Sequence, residues 1–202
     1  MKSISQIQKA ENIFKKHGGM LRTSDAIRAG IHPAILYAMR NSGLLVQISR
    51  GVYRLADSSA FSNPDLITVV TRIPNGVICL TTALSIHEIT TQVPHVVHVA
   101  LPKGSEEPRL DYPPVQVYRF SGKSFTEGIE IITIDGIQIQ IFNIEKTLAD
   151  CFKFRNKIGF DSAIEALRLY HERGRLKVDD VIRYASICRV EKIMRPYLEA
   201  IF

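Results

Sequence analysis

The chain has 202 residues, of which 46% are hydrophobic, and it carries a formal net charge of +6 with a pI near 9.3. This composition allows a buried core in one or two domains, and no stretch is apolar for long enough to cross a membrane. The first residues lack the apolar run of a signal peptide, so we expect a cytoplasmic protein. The cysteines lie far apart without a Cys-x-x-Cys spacing, which favours buried free thiols over a disulfide or a metal site: Cys79, Cys151 and Cys188.

The excess of positive over negative charge is confined to the start of the chain. Residues 1–60 contain nine Lys or Arg and three Asp or Glu side chains, whereas residues 61–202 contain 17 of each kind. A small basic segment before a larger neutral one predicts a polyanionic partner that the first segment binds. A simpler interpretation is that the excess positive charge only keeps the surface soluble, but this does not explain why the excess lies in one segment.

The first 30 residues predict two helices. Apolar residues recur at helical spacing between Ser5 and Lys16, which indicates an amphipathic first helix. Thr23 is of the type that caps a helix N-terminus, so we expect the second helix to begin there and to end at Gly30.

A third helix is predicted to begin at His32-Pro33, because proline at the first helical position loses no hydrogen bond. Its apolar residues Leu36 and Met39 should point inward, with polar side chains on the opposite face. Such side chains can hydrogen-bond bases or phosphates, so we expect a DNA recognition helix. The outward polar residues are Tyr37, Arg40 and Asn41.

Two β-like runs, residues 44–48 and 51–55, follow this helix and join at Ser49-Arg50-Gly51. Glycine after arginine permits a tight turn that directs Arg50 outward, as at the tip of a wing on DNA. The order of helix, turn, helix and hairpin is that of a winged helix-turn-helix domain, although an ordinary exposed hairpin is an alternative. The predicted DNA-binding residues are Arg22, Thr23, Ser24, His32, Tyr37, Arg40, Asn41, Ser49 and Arg50.

A linker-like segment at residues 56–60 divides the chain into a winged helix-turn-helix domain, residues 1–58, and a larger domain, residues 61–202. The larger domain predicts an α+β fold in which a small antiparallel sheet is preceded and followed by helices. Two strands should form a hairpin at Asp135-Gly136, and Pro196 predicts a kink or break in the last helix. The predicted strands are residues 95–101, 115–120, 129–134 and 137–142, and the helices are residues 65–72, 80–88, 144–155, 160–174, 178–185 and 190–201.

The larger domain offers few candidates for catalysis. His87-Glu88 lacks the second histidine of a zinc-binding HExxH motif, and no glycine-rich phosphate-binding motif is present. A metal-dependent nuclease built on Glu130 and Asp135 is an alternative, but the chain has no Glu-x-Lys and the turn accounts for the Asp-Gly pair. We therefore predict a protein that is not an enzyme and that has no cofactor or metal.

Three segments resemble the AbiEi antitoxin family of bacterial type IV toxin–antitoxin systems, which act in abortive infection. They are SRGVYRL at residues 49–55, LTTALSIHEI at residues 80–89, and FNIEKTLADCFKFRNKIGFDSAIEALR at residues 142–168. The wing segment is shared with many regulators, so the specific part of the resemblance is residues 145–150. The resemblance spans nearly the whole chain.

The resemblance implies a winged-helix repressor domain followed by an antitoxin domain. Such a protein binds inverted repeats of double-stranded DNA in its own promoter and counters a nucleotidyltransferase-like toxin without a stable complex. One winged domain per chain on an inverted repeat suggests two copies on the DNA. A winged-helix regulator whose C-terminal domain senses a ligand or mediates assembly is the alternative.

In the antitoxin domain the resemblance points to three residues of its most specific segment. They can equally have a structural role, because acidic side chains complement a helix N-terminus and form ion pairs with lysines at helical spacing. We favour this structural role. The residues are Glu145, Lys146 and Asp150.

Overall fold

The computed structural model of the chain has an α+β fold, which confirms the predicted class. Of the 202 residues, it describes 2–57, 61–174 and 177–201. The side chains of residues 2–4 and of Ser49 also lie outside this description, so the predicted role of Ser49 stays a prediction.

The chain divides into two compact units. The predicted boundary near residues 58–61 stays a prediction, because residues 58–60 are not among those described. The first unit comprises Met1–Pro74 and Thr133–Gln138, and the second comprises Asn75–Ile132 and Ile139–Phe202.

Four helices and three strands are described in the segment up to Pro74. In chain order they are α1 (Lys2–Lys16), β1 (Met20–Arg22), α2 (Thr23–Arg28), α3 (Pro33–Asn41), β2 (Leu45–Ser49), β3 (Val52–Leu55) and α4 (Pro64–Arg72).

Strands β1, β2 and β3 form an antiparallel sheet with β3 in the centre. Met20 of β1 lies opposite Arg54, and Leu45 of β2 lies opposite Leu55, which confirms the predicted hairpin. The inner face of this sheet contributes to a core shared with α1, α2 and α3. Buried apolar residues at helical spacing in α1 and α3 fill the core, because each helix exposes only one face to water.

The start of α2 differs from the prediction. Arg22 occupies the N-cap position without a side-chain cap, and Thr23 is the first helical residue. The Thr23 hydroxyl and backbone N–H both donate to the carbonyl oxygen of Gly51, at 3.3 and 2.9 Å. Thr23 therefore joins α2 to the turn between β2 and β3 instead of capping the helix.

Five further strands and seven further helices are described after Pro74. They are β4 (Val77–Ile78), α5 (Leu80–Ile86), β5 (Val97–Pro102), β6 (Val115–Phe120), α6 (Lys123–Thr126), β7 (Ile129–Ile134), β8 (Ile137–Phe142), α7 (Ile144–Lys153), α8 (Arg155–Ile158), α9 (Phe160–Glu172), α10 (Val178–Ile187) and α11 (Glu191–Ile201).

The larger sheet is mixed, so the predicted antiparallel sheet is wrong. Its strand order is β6-β5-β4-β8-β7. The β5–β6 and β4–β8 pairs are parallel, whereas the β4–β5 pair is antiparallel. Residues 103–114 connect β5 to β6, and a connection of about a dozen residues is long enough to return the chain in the parallel direction. The hairpin of β7 and β8 was predicted, and both Asp135 and Gly136 have the positive φ that a two-residue turn requires.

Helix α7 lies at the centre of the second unit's core. Its residues Leu148 and Phe152 are fully buried with apolar side chains of α5, α9 and α10. The three cysteines are buried free thiols, as predicted. Among the described helices, none is both long and apolar enough to cross a membrane.

Two predicted helices differ in detail from the structure. The helix expected at residues 144–155 is divided into α7 and α8 at Phe154. Helix α11 continues through Pro196, so the helix is not broken there, and the expected kink stays a prediction. Pro196 is exposed, where water can bond the carbonyl that loses its helical partner.

Candidate functional site

The outer face of α3 carries the polar side chains that the sequence predicts for it. Leu36 and Met39 are buried in the core of the first unit, whereas Tyr37 is 45% exposed and Arg40 and Asn41 are also exposed. Residues three and four positions apart share one side of a helix, so the three polar side chains are neighbours. Helix α3 therefore presents a polar surface on an apolar base.

Arg40 is at the centre of this surface. Its Nε and Nη2 donate to Oδ1 of Asn41 at 3.2 and 3.0 Å, and its guanidinium carbon lies 5.3 Å from the centroid of the Tyr37 ring. None of the ion pairs between described residues involves Arg40. The positive charge is oriented by neutral neighbours and is available to an external anion.

His32 fixes the start of α3. Its Nδ1 accepts a hydrogen bond from the backbone N–H of Ala34 at 3.2 Å, and Pro33 occupies the first helical position. A neutral imidazole that accepts at Nδ1 carries its proton on Nε2. The exposed His32 ring can therefore donate a hydrogen bond to a phosphate oxygen while it caps the helix.

The turn between β2 and β3 is held from two sides. Thr23 donates to the carbonyl oxygen of Gly51, and Arg72 of α4 donates through Nη1 to the carbonyl oxygen of Arg50. The Arg50 side chain itself is exposed. A cationic side chain is thus presented on a backbone that is fixed by hydrogen bonds.

Arg22 and Ser24 are the remaining residues predicted to bind DNA. Arg22 is half-buried and lines a cavity of about 480 Å³ inside the first unit, together with Lys16 and Asp25, whereas Ser24 is exposed. The structure therefore brings together the polar residues of α3, joins Thr23 to the Arg50 turn, and places Arg22 in a separate cavity.

Glu145, Lys146 and Asp150 lie in the core of the second unit, where 7%, 0% and 0% of their surfaces are exposed. Lys146 Nζ donates to Asp150 Oδ2 at 2.5 Å, and the other carboxylate oxygen accepts from Cys188 Sγ at 3.2 Å. Tyr170 donates its phenolic proton to Glu145 Oε1 at 2.5 Å. The i, i+4 pairing was among the structural alternatives, but the burial was not predicted.

Aromatic rings and a helix cap complete the surroundings of this buried cluster. Lys146 Nζ lies 4.9 Å from the centroid of the Phe120 ring and 4.2 Å from that of Phe142. Asn143 caps α7 by accepting from the backbone N–H of Lys146 at 2.9 Å, and it donates to Tyr184 at 3.1 Å. In this folded unit, an external partner cannot contact Lys146 or Asp150.

Burial controls the protonation of the groups in this cluster. It raises the pKa of Asp150, against the opposing effect of the Lys146 cation. It also raises the pKa of the Cys188 thiol to about 12, and the negative charge of Asp150 adds to this rise. Because only a thiolate is strongly nucleophilic, Cys188 is expected to be inert at neutral pH.

The two carboxylates considered for a nuclease have different partners. Asp135 Oδ2 accepts from the backbone N–H and the hydroxyl of Ser62 at 2.8 and 2.9 Å, whereas Glu130 lies 3.8 Å from His87 Nε2. Within the described ranges, no group of three or more His, Cys, Asp or Glu side chains could hold a metal ion. The geometry gives no support to the nuclease alternative.

Among solved structures, the chain is similar to the crystal structure of the RV2827C protein from Mycobacterium tuberculosis. The TM-score is 0.60 at 14% sequence identity, and the similarity covers 92% of this chain and 72% of that chain. At this identity the likeness concerns the fold alone. No curated protein matches the chain.

A family model described as a transcriptional regulator, AbiEi antitoxin, matches residues 8–56. The matched segment starts within α1 and ends directly after β3, so it contains α2, α3 and the hairpin. The resemblance to the AbiEi antitoxin family is therefore confirmed for residues 8–56.

Proposed function

We propose that the first unit contains a winged helix-turn-helix domain, residues 1–58, that binds double-stranded DNA. Helix α3 serves as the recognition helix in the major groove, and the β2–β3 hairpin serves as the wing. Tyr37, Arg40 and Asn41 face the DNA from α3, and Arg50 contacts the phosphate backbone from the wing. The proposal is supported by the exposed polar face of α3, in a segment that holds the entire net charge. On this face, Arg40 has no ion-pair partner among the described residues.

We further propose that the whole chain is a cytoplasmic autorepressor and antitoxin of a type IV toxin–antitoxin system. It binds inverted repeats in its own promoter, with two copies on the DNA, and counters a nucleotidyltransferase-like toxin without a stable complex. The family match at residues 8–56 supports the regulatory part. The resemblance of residues 142–168 supports the antitoxin part. We propose neither an enzymatic activity nor a cofactor for this chain.

DNA binding is tested by fluorescence anisotropy with a labelled duplex from the promoter upstream of the gene and a random duplex of equal length. Loss of a side chain that reads a base costs about 1–3 kcal/mol, and loss of one phosphate contact lowers the slope of log affinity against log salt by about 1. We expect Arg40→Gln and Arg50→Gln to weaken binding to the promoter duplex. Arg168→Gln, an exposed arginine of the second unit, is the matched control and should bind normally.

Equal affinity for the promoter and random duplexes at moderate salt would contradict a specific repressor. Equal affinity of the Arg40→Gln, Arg50→Gln and Arg168→Gln variants would contradict the assignment of the surface. Circular dichroism of each variant separates loss of contact from loss of fold.

The alternative is a winged-helix regulator whose second unit senses a ligand or mediates assembly. It shares the DNA-binding prediction, so it is distinguished by co-expression with the neighbouring toxin gene product. Protection of the cells supports the antitoxin, and unchanged toxicity at a normal protein level supports the alternative.

A further inference from the structure

A cavity of about 510 Å³ lies within the second unit, at the end of β6, α7 and α10. Its lining comes from three separate segments, namely Ser121–Ser124, Lys153, and Ile187–Arg189. This volume is in the range of pockets that hold small molecules. None of the candidate DNA-binding residues, all of which precede residue 51, is among the residues that line this cavity.

The charged residues of this cavity have one sign. Lys123, Lys153 and Arg189 line it, and none of its described lining residues is acidic. None of the three cations forms an ion pair with the described part of the chain. Three like charges on one concave surface repel each other, and a bound anion would remove that repulsion.

The position of Lys153 is fixed by its neighbours. It is only half-exposed, and its Nζ lies 5.3 Å from the centroid of the Phe120 ring and 5.7 Å from that of Phe154. Rings at these distances orient an ammonium group but do not neutralise it. Lys153 therefore differs from a freely moving surface lysine, because its charge is held beside the cavity.

The backbone of Arg189 has a well-defined conformation. Its φ of 61° lies in the left-handed region, which is uncommon for a long side chain, and its N–H donates to the carbonyl oxygen of Ser186 at 3.0 Å. Ser121 also lines the cavity, and its hydroxyl can donate a hydrogen bond to an anion. The hydroxyl of Ser124 already donates to the carbonyl oxygen of Ser121 at 2.8 Å.

The helix dipole offers a simpler explanation for the positions of two of these cations. Lys153 is in the last turn of α7 and Arg189 follows α10, where a positive charge is favoured by the helix dipole. This effect does not apply to Lys123, which begins α6. It also does not account for the convergence of all three cations on one cavity without a carboxylate.

We propose that this cavity is a binding site for a small phosphorylated anion with the charge of a diphosphate. Three cations suit a ligand with several negative charges, and the concave shape suits a compact anion better than an extended nucleic-acid backbone. Cys188 lines the same cavity and donates to the buried Asp150, so the site adjoins the contact between α7 and α10.

The test is isothermal titration calorimetry of the full chain with sodium pyrophosphate, at constant ionic strength. The protein carries Arg40→Gln and Arg50→Gln, which removes two exposed cations of the first unit from the measurement. We expect saturable binding at one site per chain. Hydrogen bonds to charged groups are strong enough that Lys153→Gln or Arg189→Asn should each weaken the affinity by about tenfold or more.

Two variants are used because Lys153→Gln also removes contacts with aromatic rings, whereas Arg189→Asn places a residue that tolerates positive φ. Lys192→Gln, an exposed lysine of α11 outside the cavity, is the matched control and should keep the affinity. Thermal unfolding with and without pyrophosphate gives a second measurement, since a ligand that binds only the folded state raises the Tm.

The proposal fails if pyrophosphate shows no saturable binding at millimolar concentrations, or if the cavity variants bind as tightly as Lys192→Gln. Displacement of pyrophosphate by a random duplex would assign the cavity to nucleic acid and would also overturn it. These results are independent of promoter binding, because every chain in the pyrophosphate titration carries Arg40→Gln and Arg50→Gln.

Discussion

Lys146 is a buried cation whose charged partner is Asp150. Removing one member of a buried ion pair leaves an uncompensated charge in the core, which costs about 3–5 kcal/mol. We therefore expect Lys146→Met to lower the free energy of unfolding by about this amount, measured by urea denaturation near neutral pH. Methionine keeps most of the buried volume, so the loss of charge dominates the effect.

The double variant Lys146→Met with Asp150→Leu is the control for this prediction. It removes both charges and should recover a large part of the lost stability, because apolar residues of similar volume often replace a buried pair at little cost. A double variant that is less stable than Lys146→Met alone would show that packing, and not the unpaired carboxylate, limits the stability.

The pKa of Asp150 gives the same pair a pH dependence. Burial raises this pKa above its ordinary value of 3.8, so the folded chain holds the proton more tightly than the unfolded chain. Between 3.8 and the raised pKa, the unfolded state binds fewer protons than the folded state, and stability falls as pH rises. Lys146→Met removes the opposing cation and should raise the pKa further.

The destabilisation by Lys146→Met should accordingly be larger near pH 7.5 than near pH 5, by about 1.4 kcal/mol for each unit of additional pKa shift within that interval. Urea denaturation of both proteins at the two pH values measures this difference. A destabilisation that is constant with pH would contradict an additional pKa shift of Asp150 within this interval.

Gly128 joins two elements, since it lies just before β7 and its carbonyl oxygen accepts from the N–H of Asn143 at the start of α7. A Cβ added at Gly128 would lie 2.7 Å from Cβ and 2.9 Å from Cγ of Lys146. These atoms are at the base of a buried side chain and cannot move away. We expect Gly128→Ala to destabilise the protein by about 1–3 kcal/mol through overpacking, in addition to the cost of its positive φ.

Gly104→Ala separates the two contributions to that cost. Gly104 also has a positive φ, but its added Cβ would meet nothing within 4 Å, so only the backbone cost of about 1–2 kcal/mol applies. Urea denaturation of both variants gives the difference. Equal destabilisation would contradict the close approach of β7 and α7 at Gly128.

Elements with strong local signals were predicted, and elements that depend on distant partners were not. The hairpin at Asp135-Gly136 and the Asn143 cap have their causes within a few residues, so the sequence indicates them. Strand β4 has only two residues, Val77 and Ile78, and alternation of side chains does not specify whether a neighbour runs parallel. The mixed sheet therefore required the structure.

The same distinction applies to the candidate sites. The exposed face of α3 follows from helical periodicity around Leu36 and Met39, so its polar residues were predicted. The cavity cations Lys123, Lys153 and Arg189 are far apart in the chain, and no local pattern connects them. The burial of Lys146 was missed because a lysine and an aspartate four residues apart are typical of a solvated helix face.

At the scale of the whole molecule, the two parts of the proposed function involve different residues. DNA binding is proposed for α3 and the wing of the first unit, whereas the antitoxin resemblance is most specific in the second unit. Variants that remove DNA binding should therefore leave the antitoxin activity intact. A protein that acts on its toxin only by repressing transcription would lose both together.

This separation is tested with the full chain, produced from an unrelated promoter beside the neighbouring toxin gene product. Arg40→Gln with Arg50→Gln should abolish repression of a reporter under the native promoter, because the recognition and wing contacts are lost. The same variant should still protect cells, because a toxin made from an unrelated promoter is not controlled by repression. Toxicity that returns at an equal protein level would mean that antitoxin activity needs the DNA-binding surface, and the two proposed roles would then belong to one site.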